Sequence, residues 1–355
     1  MRKYIPPALL ALALLLSTAP ATFAQSALLN LPRQSQHATV VQRVGITDIT
    51  INYHRPTING RKVWGGLVPY GQVWRAGANE NTTIKFTDPV TVEGQTLAAG
   101  TYGLHMIPNE NEWTVIFSRA ATAWGSFSYD QKEDALRVTV KPQSAEMHEA
   151  VTYDFTDIKP TETTVTLFWE KVAVPFKVSV NTNEVVADSL HRQLRGLPQY
   201  TWEAWDEAAD YLLSSKSDLE EALTYANRSI QNEERFENLM SKSQILDALN
   251  RPKDAAPVKE KAVSLATAIQ LHGYGRQLQI QGKQQEAFDV FRTNIKKYPD
   301  HWVSHNEAAR MACAEGNFDK AVKEMKLASA AAPDQIKTPL DGLVKRLEAK
   351  QDINK

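Results

Sequence analysis

Residue types able to do chemistry gather in one stretch of the chain. Residues 54–81 hold Arg61, Arg75, Asn79 and Glu80 together with Trp64, Tyr70 and Trp74. The same stretch contains five glycines and no sustained alternation of apolar and polar residues. A connection this long inside a compact domain is usually functional unless it is disordered, and its aromatic content argues against disorder. A second irregular stretch, Arg119 to Asp134, adds Trp124, Phe127 and Tyr129. An indole offers a wide apolar face and one N–H donor. Stacking of Trp64, Trp74 or Trp124 on a sugar, with Arg75 and Asn79 as hydrogen-bond partners, would make a carbohydrate or small-molecule pocket. A hydrolase using Arg75, Glu80 and His54 or His105 is the alternative, although no nucleophile–base motif supports it. A purely structural reading stands beside both. In it the glycines permit tight turns, Trp64 and Trp74 cap the open end of a sandwich, and Arg75 with Glu80 forms an ion pair that pins the loop.

Other motifs carry less. His301 and His305 have the i, i+4 spacing of some zinc sites, but no Glu stands between them as His-Glu-x-x-His requires. No Gly-x-Ser-x-Gly elbow, phosphate-binding glycine loop or Cys-x-x-Cys occurs, so the sequence implies no metal and no cofactor. His105 lies between Leu104 and Met106 and must point away from both, which favours solvent exposure over a place at a pocket floor. The single cysteine, Cys313, sits in an Ala-rich helical pattern and reads as a small core residue.

The elements that must position these residues divide into two kinds. From about 36 to 180, apolar residues recur with a period of two, as in Ile49/Ile51/Tyr53, Trp113/Val115/Phe117, Val151/Tyr153/Phe155 and Val165/Leu167/Trp169. Nine or ten such runs, separated by turn signals, predict an antiparallel β-sandwich or barrel. Pro175 within the last run points to an edge strand. From about 183 the period becomes 3.6, and a short linker helix ends near Gly196 and Pro198.

Beyond residue 200 the chain repeats itself. Gly282 and Gly316, Ala287 and Ala321, and Pro299 and Pro333 are each 34 residues apart. That is the tetratricopeptide period. Weaker copies anchored at Ala222 and Ala255 extend the array to about four helical hairpins, with Leu340 to Lys350 as a capping helix. Trp202 and Trp205 at its start read as inter-helix core.

The run Tyr53-His-Arg-Pro, Gly60-Arg-Lys-Val, Gly65-Gly-Leu-Val-Pro-Tyr-Gly and Val73-Trp-Arg-x-Gly-Ala-Asn-Glu-Asn-Thr resembles the bacterial domain of unknown function family 2911. So do Leu97-Ala-Ala-Gly-Thr-Tyr and Asn111-Glu-Trp-Thr-Val-Ile-Phe. The family pattern usually carries Ser in place of His54 and Thr in place of Ala76. The resemblance covers about residues 34–180 and implies an exported, mostly β protein, often followed by tetratricopeptide-like helices. It implies no activity.

The expected organisation is a signal peptide at 1–24, an extension at 25–35, a β domain at 36–181, a linker helix at 182–199 and helical repeats at 200–350. The leader rests on Arg2 and Lys3, the apolar run Ala8 to Leu16, and Thr22 and Ala24 before the cleavage point. The mature chain is expected to be exported to the periplasm or the cell exterior, with no transmembrane segment. The 355 residues carry 40 basic and 41 acidic groups. From Arg195 onward the counts are 23 and 24. Such balance in each half argues against nucleic acid and anionic membrane as partners. The sequence therefore favours a binding module over an enzyme, with a protein or peptide held by the repeats.

Overall fold

The computed structural model describes residues 32–354. The proposed leader at 1–24 lies outside the described residues. The chain folds into two compact units, one ending at Val180 and one beginning at Asn181.

The described residues of the first unit form ten strands: β1 (Gln36–Val44), β2 (Thr47–Arg55), β3 (Thr83–Phe86), β4 (Val90–Val92), β5 (Gln95–Leu97), β6 (Gly100–Ile107), β7 (Trp113–Ser118), β8 (Asp134–Val140), β9 (Gln143–Lys159) and β10 (Glu162–Ser179). They form a six-stranded sheet, β1-β2-β3-β6-β7-β8, and a four-stranded sheet, β5-β4-β10-β9. Neighbouring strands pair antiparallel. Neither sheet closes on itself, so the barrel alternative is excluded. Alternation fixes which face turns inward. In β2, Ile49, Ile51 and Tyr53 are buried while Thr50, Asn52 and His54 are less so. The two inner faces meet through Phe117 against Phe176, with ring centres 5.8 Å apart, and Tyr53 against Tyr153 at 4.8 Å.

The strand containing Pro175 is not an edge. β10 lies between β4 and β9, and its ladder with β9 ends at Ala173 while that with β4 begins at Val178. Pro175 falls in the gap, where a missing N–H costs no ladder bond. A bulge at Glu170, whose φ is 55°, also shifts the phase of β10. Before it Val165, Leu167 and Trp169 face inward; after it Val174, Phe176 and Val178 do.

The second unit is helical: α1 (Thr182–Gln193), α2 (Trp202–Ser215), α3 (Leu219–Asn232), α4 (Phe236–Ala248), α5 (Pro252–Leu265), α6 (Ala268–Ile280), α7 (Gln284–Lys297), α8 (Trp302–Ala314), α9 (Phe318–Ala331) and α10 (Asp334–Glu348). Helices α2/α3, α4/α5, α6/α7 and α8/α9 pack as hairpins, and α10 packs on α9. The repeat anchors Ala222, Ala255, Ala287 and Ala321 are all buried. Small residues are required there by close approach. At Gly275 in α6 a Cβ would sit 2.2 Å from the Phe291 ring in α7. Among the described residues no helix is long and apolar enough to cross a membrane.

Candidate functional site

The loop between β2 and β3 is tightly built. Trp74 exchanges two main-chain hydrogen bonds of 2.8 Å with Met106. Its indole N–H donates to the Gly77 carbonyl at 3.1 Å. The Ala76 carbonyl, at a residue with φ of 48°, accepts from the Tyr153 and Thr82 hydroxyls. Asn79 takes φ of 56°, and its amide donates to the Ser35 carbonyl at 3.1 Å. The side chain of Asn79 is therefore spent on holding the chain before β1.

Trp64 belongs to the core, and Trp74 is half-buried against it. Trp64, 7% exposed, packs edge-on against Trp74, Trp113 and Trp169, with ring centres 5.7, 4.8 and 5.5 Å away. Trp74 stacks on Trp169 at 5.6 Å. Trp64 is enclosed by these indoles, while Trp74 keeps part of its surface exposed. Arg61 lies outside this cluster, where its guanidinium closes a turn on the carbonyls of Thr57 and Ile58. Tyr70 is half-exposed and lies against Gly65, where a Cβ would come 3.0 Å from its ring. Trp124 remains 48% exposed.

Arg75 and Glu80 are not paired. Glu80 instead accepts from Arg33 at 2.5 Å and lies 3.2 Å from His54 Nε2. Burial raises the Glu80 pKa, but its own backbone N–H, Arg33 and His54 outweigh this and hold it below the usual range. His54 is pushed down by burial more than Glu80 lifts it, so the ring is not held in its charged form, and the Glu80 oxygen facing it makes no hydrogen bond among the described residues. These groups, with Pro32, Ser35, Gln36 and His37, line a pocket of about 500 Å³. Among the described residues Arg75 has no hydrogen bond or ion pair; its guanidinium lies 5.7 Å from the centre of the Phe127 ring.

His105 is buried, at 2% exposure, contrary to the solvent-facing expectation. The stretch 119–130 folds over the outer face of β6 and β7. There Ser126 Oγ lies 2.9 Å from His105 Nδ1, and the Tyr129 ring lies 5.5 Å from the imidazole. Burial lowers the His105 pKa to about 4, so the ring is neutral at pH 7. Tyr129 donates to Asp134 at 2.7 Å, which Arg137 also approaches at 3.0 Å.

The helical unit contains a polar layer that repeat-reading missed. Glu307 in α8 is fully buried beside His272 of α6 at 3.2 Å, and the amide of Asn294 in α7 donates to it at 2.8 Å. Burial raises Glu307 to about 8 and lowers His272 to about 3, so the pair is neutral. One turn on, Arg310 donates to the carbonyl of Ile353 at 2.7 Å, and the Asn354 amide donates to the Arg310 carbonyl at 3.0 Å. Gln279 of α6 donates to the Asn354 side chain at 2.9 Å. Ile353 is 1% exposed, within the cluster of Ala309, Ala312, Cys313 and Leu347. After α10, residues 351–354 thus turn back across α8 and α6. Charged residues such as Glu307 and Arg310 at buried helical positions among alanines were the sequence signal for this layer.

His301 and His305 do not share a ligand position. His301 caps α8 by accepting from the Val303 N–H, and His305 meets Glu324 at 2.8 Å. Among the described residues no group of three or more His, Cys, Asp or Glu could hold a metal ion.

No curated protein matches the chain. Among solved structures it is similar to "Crystal structure of YrrB: a TPR protein with an unusual peptide-binding site", at 20% identity over 46% of this chain and 89% of that chain, with a TM-score of 0.26. Residues 35–178, in the β unit, match the model of the family described as Protein of unknown function (DUF2911).

Proposed function

We propose that the protein is an exported envelope component whose helical array binds an extended peptide segment of a partner protein. The supporting observation is the way α6 and α8 hold residues 351–354. Arg310 addresses a main-chain carbonyl, Gln279 addresses a side-chain amide, and an apolar pocket takes Ile353. Main-chain recognition plus one apolar anchor is how extended peptides are read with modest sequence demand. The balanced charge of the helical half fits a partner chosen by shape and hydrogen bonds rather than by long-range steering.

The test is a chain shortened to end at Lys350, offered a labelled peptide of residues 349–355. Saturable binding that Arg310→Ala abolishes supports the reading. A shortened chain that keeps its helical circular dichroism yet takes up no peptide would sink it. Export rests on the leader pattern of residues 1–24, and amino-terminal sequencing of the mature protein should begin at Gln25. Burial of Trp64 among three other indoles removes the support for sugar stacking on it.

A further inference from the structure

Arg75 is an anomaly in an otherwise well-partnered loop. A guanidinium carries five N–H donors and stays charged at physiological pH. Here it is half-buried, its Nε is fully buried without an acceptor, and among the described residues no carboxylate reaches it. Burial pulls its pKa down, with no acidic neighbour to restore it. A charge desolvated without compensation is costly, and folds rarely keep one unless something pairs with it.

The surroundings are shaped to that guanidinium. Gly125, at φ of 62°, lies so close that a Cβ there would be 2.6 Å from Arg75 Nη1. The next residue, Ser126, has its hydroxyl fixed by buried His105 at 2.9 Å. A neutral imidazole bearing its proton on Nδ1 donates to Ser126 Oγ and leaves the hydroxyl proton free for an acceptor. The residue after that, Phe127, lies over Arg75 yet is 83% exposed. With half-exposed Trp124 on the same loop, it gives apolar surface beside an unpaired cation.

We propose that Arg75, Ser126 and Phe127 form a binding site for a small oxyanion, a carboxylate or phosphate, carried on an apolar body. The guanidinium fork takes two anion oxygens, the Ser126 hydroxyl donates to one of them, and Phe127 with Trp124 covers the apolar part. This site belongs to the β unit and is independent of peptide binding by the helices.

Calorimetric titration of the full chain with inorganic phosphate, phenyl phosphate and benzoate tests it. Binding of phenyl phosphate or benzoate that Arg75→Gln weakens by about tenfold or more supports the site. Phe127→Ala, at an exposed position, should weaken phenyl phosphate and benzoate while leaving inorganic phosphate unchanged. Inorganic phosphate binding alone, insensitive to both substitutions, overturns the proposal. So does a wild-type chain that takes up none of the three probes. Should Arg75→Gln fail to fold, the Phe127→Ala comparison decides: loss of discrimination between phenyl phosphate and inorganic phosphate upholds the site, and retained discrimination overturns it.

Discussion

Glu307 Oε1 lies 3.2 Å from His272 Nδ1, and burial leaves both groups neutral at pH 7. The geometry is that of an ion pair, but the two pKa shifts run against ionisation. Desolvation in the helical core outweighs the attraction between the charges.

That neutrality has a pH signature. Glu307 is raised from 4.5 to about 8, so its contribution to stability is complete below 4.5 and is lost as pH rises through 8. His272 is lowered from 6.5 to about 3, so its contribution is complete above 6.5 and is lost as pH falls toward 3. Glu307→Gln mimics the neutral acid and removes the first dependence. The stability difference between wild type and Glu307→Gln should be flat below pH 4.5. Between 4.5 and 8 it should move against wild type by up to about 1.4 kcal/mol per pH unit. Urea unfolding followed by helical circular dichroism across this range measures it. A difference that does not change with pH refutes the neutral-acid assignment.

The contact between Gly275 and Phe291 predicts a second outcome. Ala is the better helix former by about 1 kcal/mol at an exposed helical site. Here its Cβ would enter the Phe291 ring, which is fully buried and cannot swing aside. Gly275→Ala should therefore destabilise the helical unit by about 1–3 kcal/mol net, through overpacking. Gly273→Ala, two residues earlier with open space around it, should be neutral or stabilising. Thermal denaturation of the two variants compares them directly.

The two kinds of tryptophan separate in the same way. Trp64 is packed on three other indoles, and Trp64→Ala should cost about 3–5 kcal/mol of β-unit stability. Trp124 is half-exposed, and Trp124→Ala should change stability by no more than about 0.5 kcal/mol. Near-ultraviolet circular dichroism during urea unfolding reads both. Equal losses at the two positions would contradict the core assignment.

What was legible in the sequence was what periodicity encodes. Alternation marked Ile49, Ile51 and Tyr53 as one face, and the 34-residue spacing of Ala287 and Ala321 marked stacked hairpins. Periodicity says which face a side chain takes, not what later covers that face. His105 was correctly placed opposite Leu104 and Met106, yet the loop carrying Ser126 and Tyr129 folds onto that outer face and buries it. Proximity in sequence likewise suggested Arg75 with Glu80, whereas Arg33, which lies 47 positions before Glu80, takes the carboxylate. The return of residues 351–354 across α8 left no periodic trace, because a four-residue segment is too short to show one.

That return gives the last prediction. Arg310 is buried, and its Nη1 donates to the Ile353 carbonyl while its Nε donates to Asn306. Ile353 fills an apolar pocket at 1% exposure. Ile353→Ala removes the anchor but leaves the polar contacts, whereas Arg310→Ala removes the bond to the Ile353 carbonyl and leaves the anchor. If the segment is held by both, each substitution alone should release it, because neither anchor by itself offsets the entropy of ordering the segment. Hydrogen exchange at residues 351–354 should then accelerate in both variants, while exchange in α8 accelerates much less. If Ile353→Ala leaves exchange slow, the main-chain bonds suffice, and the array reads extended chain without an apolar anchor.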